Sequence, residues 1–110
     1  MKILQVIDIL DVGGAERVFV DLSNILYDNG EDISALFLLE KGALFQNLNN
    51  NIPFFELKRY NRFSPLKLLN CYRLIREYDI IHCHLQHIYR YVKLVSVFFK
   101  IKGKIILHDH

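Results

Sequence analysis

The sequence of 110 residues has few of the features that mark secreted or membrane-spanning proteins. Its two cysteines, Cys71 and Cys83, each lie inside a predicted regular element. They form no disulfide framework and indicate reduced thiols in a cytoplasmic protein. No apolar run approaches the roughly 18 residues that a membrane-spanning helix needs. The run Ile3–Leu10 is interrupted by Gln5 and Asp8 and has no small-residue cleavage site, so we do not expect a secretory signal.

Apolar residues are abundant, at 52% of the chain, which excludes a disordered protein. The length predicts one domain over residues 1–110. The net charge of +2 conceals a division: residues 1–56 have three basic and nine acidic groups, and residues 57–110 have eleven basic and three acidic groups. The net charges of −6 and +8 predict a face that meets an anionic partner, such as a membrane or a phosphate. Nucleic acid is not expected, because no recognition motif accompanies the basic half.

Strand and helix patterns alternate along the chain. Five apolar or β-branched runs predict strands, at Lys2–Leu10, Ile33–Leu39, Ile52–Leu57, Asp79–Leu85 and Lys104–His108. Three helices are predicted between them, from Gly13-Gly14 to Asn29-Gly30, from Ser64-Pro65 to about Tyr78, and from about His87 to Ile101. This alternation predicts an α/β fold, with a Rossmann-like parallel sheet and flanking helices.

Ligands bind such sheets at the carboxyl ends of the strands, which draws attention to the loop after the first strand. There, Gly13 and Gly14 stand between a strand and a helix. Paired glycines allow a ligand to approach the helix N-terminus, where free N–H groups favour a phosphate. Tight packing of strand against helix explains such a turn equally well. The spacing matches neither the dinucleotide-binding pattern nor a P-loop.

Histidines mark the ends of the fourth and fifth predicted strands. Period-two geometry places His82 and His84 on one face of the strand, with Cys83 on the other. Zinc held by these histidines and His87 is an alternative, but no metal-binding motif supports it, and packed or substrate-facing histidines are favoured. His108 either projects into the ligand crevice or belongs to a frayed chain end.

Together, these segments resemble the start of family-four glycosyltransferases. The resemblance rests on Lys2–Ile7, on Gly13–Val18, on Asp79–His84, which is similar to the family's Asp-Ile-Val-His-x-His strand, and on Leu107–Asp109. It implies a retaining, nucleotide-sugar-dependent enzyme of the GT-B fold. The chain would be the incomplete N-terminal, acceptor-side half of that enzyme, without its nucleotide-sugar domain, and inactive alone.

The resemblance also implies roles for individual residues. Gly13 and Gly14 would approach the donor diphosphate, His108 would contact the transferred sugar as the catalytic residue, and His84 would line the acceptor side. No metal or other cofactor is implied, because the nucleotide sugar is a co-substrate. The acceptor would be a glycan or a lipid-linked glycan, in the biosynthesis of a cell-surface polysaccharide.

A basic segment precedes and forms the second predicted helix. Between Leu57 and Glu77 there are six basic residues and no acidic ones, namely Lys58, Arg59, Arg62, Lys67, Arg73 and Arg76. Interleaved with aromatic residues, they suit contact with anionic lipid, which predicts a cytoplasmic protein with peripheral contact at the inner face of the membrane. A solvated helix face is the alternative.

A function of another class is also open. The same sheet and the Gly13-Gly14 loop suit a stand-alone binding or regulatory module for a phosphorylated ligand. A receiver domain is disfavoured, because no acidic residue lies clearly at the end of the third strand.

Overall fold

The structure, a computed structural model, describes residues 1–11, 13–60 and 64–108. In these ranges the strands are β1 (Lys2–Ile7), β2 (Asp32–Phe37), β3 (Phe54–Glu56), β4 (Ile80–His84) and β5 (Lys104–His108). The α-helices are α1 (Gly14–Asp28), α2 (Pro65–Ile75) and α3 (Gln86–Phe98), and a short 3-10 helix, Ala43–Asn47, lies between β2 and β3.

All five strands pair in parallel in one sheet, in the order β3-β2-β1-β4-β5. The predicted α/β class with a Rossmann-like parallel sheet is therefore confirmed. Strand β1 is at the centre of the sheet, with β2 and β3 on one side of it and β4 and β5 on the other. The order reverses between β1 and β4, which is the place where folds of this kind open a crevice for ligands.

The two faces of the sheet are covered by different helices. On one face, α1 places Phe19 against Phe37 of β2 and His84 of β4, with ring centroids 5.9 and 5.1 Å apart. On the other face, α3 packs on β4, β5 and α2. The ring of Tyr72 in α2 stacks on that of Phe99, just beyond α3, at 4.8 Å. The central strand β1 is buried from Ile3 onward, as a strand covered on both faces must be.

Several element ends differ from the sequence-based prediction. Strand β1 ends at Ile7 instead of Leu10, although N–H groups of the chain beyond β2 still donate to the Ile7 and Asp8 carbonyls. Strand β3 has only three residues, because Pro53 contributes a carbonyl to the ladder but has no N–H to donate. Strand β5 matches the prediction, Lys104–His108.

Asp79 joins three strands at the edge of the sheet where the strands begin. Its side-chain Oδ2 accepts from the Lys2 N–H at 2.8 Å, and its own N–H donates to the Lys2 carbonyl at 2.8 Å. Its carbonyl accepts from the Lys104 N–H at 2.9 Å. The hydrogen bond from Lys2, more than any other interaction, lowers the pKa of Asp79. Asp79 thus has a structural role: it connects β1 and β5 to the start of β4, at the end of the sheet opposite the carboxyl ends of the strands.

Across the described ranges, none of the helices has the length and apolar character that crossing a membrane would require.

Candidate functional site

Three histidines form a cluster where β4 and β5 end. His84 pairs with His108 in the β4–β5 register, and His82 lies two residues before His84 on the same face. The ring centroids of His82 and His84 are 4.4 Å apart, and His108 lies 5.3 Å from His82 and 5.4 Å from His84. The His82 and His108 rings are nearly parallel, at 8°. Adjacent parallel strands thus bring together the two histidines singled out from the sequence, His84 and His108.

Gln5 of β1 orients the central histidine of this cluster. Both side chains are fully buried, and Nε2 of His84 lies 2.7 Å from Oε1 of Gln5. Because an amide oxygen only accepts hydrogen bonds, this contact is a hydrogen bond in the His84 tautomer that carries its proton on Nε2. Phe19 packs edge-on against the same ring. The His84 ring is therefore held in position by Gln5 and Phe19.

The Gly13-Gly14 loop opens α1 without a side-chain cap. Among the described residues, a Cβ added at Gly14 meets nothing within 4 Å, so lack of space does not require this glycine. A Cβ added at Gly13 would lie 2.9 Å from Oε1 of Glu16. The Glu16 carboxylate therefore folds back to the N-terminus of α1, where it complements the positive end of the helix dipole. An anionic ligand at this loop has to displace or avoid that carboxylate.

Asp8 connects the ends of three segments at the same edge of the sheet. Its Oδ1 accepts from Nη2 of Arg59 at 3.1 Å, and its Oδ2 accepts from Nε2 of His87 at 2.6 Å. The Arg59 guanidinium lies over the Tyr91 ring, 4.4 Å from its centroid. Asp8 follows β1, Arg59 follows β3 and His87 lies in the first turn of α3. These contacts connect the ends of β1 and β3 to α3.

His87, weighed in sequence analysis as a partner for zinc, instead donates to Asp8. Within residues 1–11, 13–60 and 64–108, no three His, Cys, Asp or Glu side chains are grouped so as to hold a metal ion.

Of the six basic residues predicted to form one anion-facing surface, the five that the structure describes do not lie on a single surface. Arg59 is turned inward, with its side chain only 10% exposed, and so departs from the predicted surface role. Lys67 donates from Nζ to the Leu57 carbonyl at 3.0 Å. Lys58, Lys67 and Arg73 line one groove of about 480 Å³, whereas Arg76 lines another with Lys100 and Lys102. Arg62 lies outside the described residues.

Both cysteines are buried and free. Burial raises the pKa of each thiol, Cys71 and Cys83, to about 12. Burial also raises the pKa of the Tyr91 hydroxyl to about 12, although the nearby Arg59 guanidinium acts in the opposite direction. These groups stay protonated at neutral pH and belong to the packed side of the sheet rather than to the histidine cluster.

Gln5, Asp8 and Glu16 are parts of the site that the sequence-based prediction did not include. A signal was present for Gln5 and Asp8, because they interrupt an apolar strand and buried polar side chains nearly always have a partner. Glu16 stands three residues after Gly13, the spacing at which an acidic side chain reaches back to a helix start. Known proteins add no further residue to the site, since no protein-family model and no curated protein matches the chain.

Proposed function

We propose that this chain is the acceptor-side part of a retaining glycosyltransferase that takes its sugar from a nucleotide-sugar donor. One observation carries the proposal: His82, His84 and His108 cluster at the carboxyl ends of two neighbouring parallel strands, with ring centroids no more than 5.4 Å apart. That edge is where ligands bind in sheets of this order. The motifs that resemble family-four glycosyltransferases lie on the same strands and on the β1–α1 loop.

The proposed donor contact is the loop at the start of α1. The N–H groups of Gly13 and Gly14 receive the diphosphate of the donor, and the helix dipole stabilises the negative charge on the departing nucleotide. The absence of a side-chain cap and the open space at Gly14 support this role. Glu16 moves aside when the diphosphate arrives, since two anions at one helix end repel each other.

The histidines have separate roles in the proposed reaction. The bond from the anomeric carbon to the diphosphate oxygen breaks, and an acceptor hydroxyl oxygen forms the new bond on the same face of the sugar. The hydroxyl proton passes to the departing phosphate. His108 contacts the transferred sugar. His84 is fully buried and held by Gln5, so on the acceptor side it acts as a positioning residue rather than by touching the acceptor. The acceptor is a glycan or a lipid-linked glycan, and the basic half of the chain makes peripheral contact with an anionic membrane at its cytoplasmic side.

Binding of the donor is the first test. We expect titration with a panel of nucleotide sugars to shift the amide NMR signals of Gly13 and Gly14 and the ring signals of His84 and His108. Gly103, at the opposite edge of the sheet, is the internal control. No shift at millimolar donor, or shifts confined to other surfaces, would contradict the proposal. Equal responses to inorganic diphosphate and to nucleotide sugars would favour the alternative, a binding module for a phosphorylated ligand.

Charge removal at Glu16 makes the test more specific. Because the Glu16 carboxylate lies at the N-terminus of α1, Glu16→Gln removes an anion that competes with the diphosphate. A charge at a helix end contributes about 0.3–1 kcal/mol, so we expect roughly two- to fivefold tighter binding. Asp21→Asn, an exposed change on the same helix beyond its first turn, is the matched control and should leave affinity unchanged. Weaker binding by Glu16→Gln would mean that the diphosphate does not bind at this loop.

Turnover tests the histidines in the complete enzyme that the proposal implies. His108→Ala should lower kcat with little change in donor affinity, because the contact strengthens only in the transition state. His84→Ala should mainly raise the KM of the acceptor. Unchanged turnover in His108→Ala would remove that residue from the catalytic role.

A further inference from the structure

The exposed part of α3 and its C-terminal end carry three large apolar side chains among basic ones. The inward residues Ile88, Tyr91, Val92 and Val95 are buried against the sheet and α2. Elsewhere on the helix, Val97 is 75% exposed, Phe98 64% and Leu94 37%. We refer to these three residues, together with the exposed Arg90, Lys93 and Lys100, as the α3 surface.

This apolar patch lies in a strongly basic segment. From Ile80 to His108 the sequence has five basic residues and no acidic one, the basic residues being Arg90, Lys93, Lys100, Lys102 and Lys104. Lys102 lies 3.8 Å from Asp79, which belongs to the edge of the sheet rather than to α3. Any partner that covers Val97 and Phe98 therefore also meets a field of positive charge.

The combination of residues distinguishes between kinds of partner. The buried centre of a protein–protein interface is depleted in lysine, and a second copy of this chain would bring like charges together. A helix with exposed large apolar residues and Lys or Arg beside them is typical of proteins that lie on anionic lipid. Helix α2, where the basic sequence motif occurs, is less suitable for contact with lipid. Among the described residues of this helix, Leu66 has the one large apolar side chain that is strongly exposed, and Lys67 is hydrogen-bonded to the Leu57 carbonyl.

We propose that the α3 surface lies on an anionic lipid bilayer. Val97 and Phe98 enter the boundary between headgroups and acyl chains, and Lys93 and Lys100 contact the anionic headgroups. The inference deepens the membrane contact named in the proposed function and rests on that part alone. It moves the contact from the α2 residues predicted from the sequence to α3.

Vesicle co-sedimentation tests the inference. We expect the protein to bind vesicles of phosphatidylcholine mixed with phosphatidylglycerol, to bind phosphatidylcholine alone far less, and to be released by salt. Each lysine near an anionic surface contributes about 1 kcal/mol, so Lys93→Gln/Lys100→Gln should weaken partitioning roughly 30-fold. Val97→Ser/Phe98→Ser should weaken it about tenfold or more, through lost apolar contact.

Matched controls lie on the opposite face of the sheet. Ile25 of α1 is 56% exposed, so Ile25→Ser removes a comparable apolar side chain, and Arg17→Gln/Lys41→Gln removes two exposed charges. Both control variants should bind vesicles like the unmodified protein. Circular dichroism and urea unfolding verify that each variant is folded, as expected for exposed positions.

The outcomes separate this inference from the proposed function. Equal binding to both vesicle types, or equal losses in the control variants, would overturn it. Self-association in sedimentation that Val97→Ser/Phe98→Ser abolishes, without vesicle binding, would overturn it in favour of a second copy of the chain. The α3 variants should keep the NMR response to nucleotide sugars, so failure of vesicle binding and failure of donor binding are read independently.

Discussion

The hydrogen bond between Gln5 and His84 can be tested by removing each partner in turn. Gln5→Leu replaces the amide with an apolar group of similar volume, and His84→Leu does the same for the ring. Both side chains are fully buried, and the 2.7 Å distance from Nε2 to Oε1 is at the short end for a bond of this type. Either single change leaves a buried polar group facing an apolar side chain.

The structure sets the expected magnitude. Leaving a buried donor or acceptor unsatisfied costs about 1–3 kcal/mol, whereas replacing both partners with apolar groups is close to neutral for the bond itself. Among the described residues, Nε2 of Gln5 has no hydrogen-bond partner, so Gln5→Leu also removes an existing penalty. We therefore expect Gln5→Leu near the lower end of that range. His84→Leu is expected to cost more, since it also loses the contact with Phe19.

A double-mutant cycle isolates the bond from these other effects. Urea unfolding of the four proteins should give a coupling free energy of about 1–2 kcal/mol, with the double variant less destabilised than the sum of the single ones. Ring nitrogen chemical shifts should show that His84 is protonated at Nε2 and that Gln5→Leu relaxes this preference. Additive effects within about 0.3 kcal/mol, with unchanged ring shifts, would refute the role assigned to Gln5.

Three further predictions concern the rest of the fold. Cys71 and Cys83 should resist a thiol reagent at pH 8 until urea unfolds the protein, because burial raises both pKa values to about 12; rapid labelling of the folded protein would contradict this. The pKa of Asp79 is lowered on folding, so its carboxylate stabilises the fold above the unfolded pKa of about 3.9 and stops doing so as pH falls through the folded value. The difference in urea midpoint between the unmodified protein and Asp79→Asn should therefore shrink below about pH 4, and a constant difference would count against the mechanism. Gly103→Ala places a methyl group against the Tyr78 carbonyl and should cost about 1–3 kcal/mol in urea unfolding, whereas an unchanged midpoint would show that the approach is not close.

The order of strands and helices could be predicted from the sequence because each element has its own period and its own end signals. The Ser64-Pro65 start of α2 is an example, since Ser64 accepts from the Lys67 N–H and Pro65 is the first helical residue. Ends that depend on a neighbouring strand could not be read locally. Strand β3 is a partial exception, because Pro53 lies inside the run Ile52–Leu57 and is a local signal of a shorter strand, whereas the residue at which β3 ends depends on its pairing with β2.

The candidate site was predictable only in part, for a similar reason. Period two places His82 and His84 on one side of a strand whatever its neighbours are. The partner of His84 is 79 residues away in sequence, in a strand whose pairing is fixed by the order of the whole sheet. The inward position of Arg59 could not be read from the sequence for the same reason, because the Asp8 carboxylate that pairs with it is 51 residues away.

The central position of β1 has a consequence for how the chain folds during synthesis. Strand β1 emerges from the ribosome before its neighbours, yet the hydrogen bond from Lys2 to Asp79 spans 77 residues. At roughly 5–20 residues per second, about 4–15 s pass before β4 can pair with β1. During that interval β1 can pair with β2 and pack against α1, but its other neighbouring strand, β4, has not yet been synthesised. Until then the apolar side chains of β1 lack the cover that β4 gives them, so we expect agents that bind nascent apolar chains to act on the β1–α1–β2 segment at this stage.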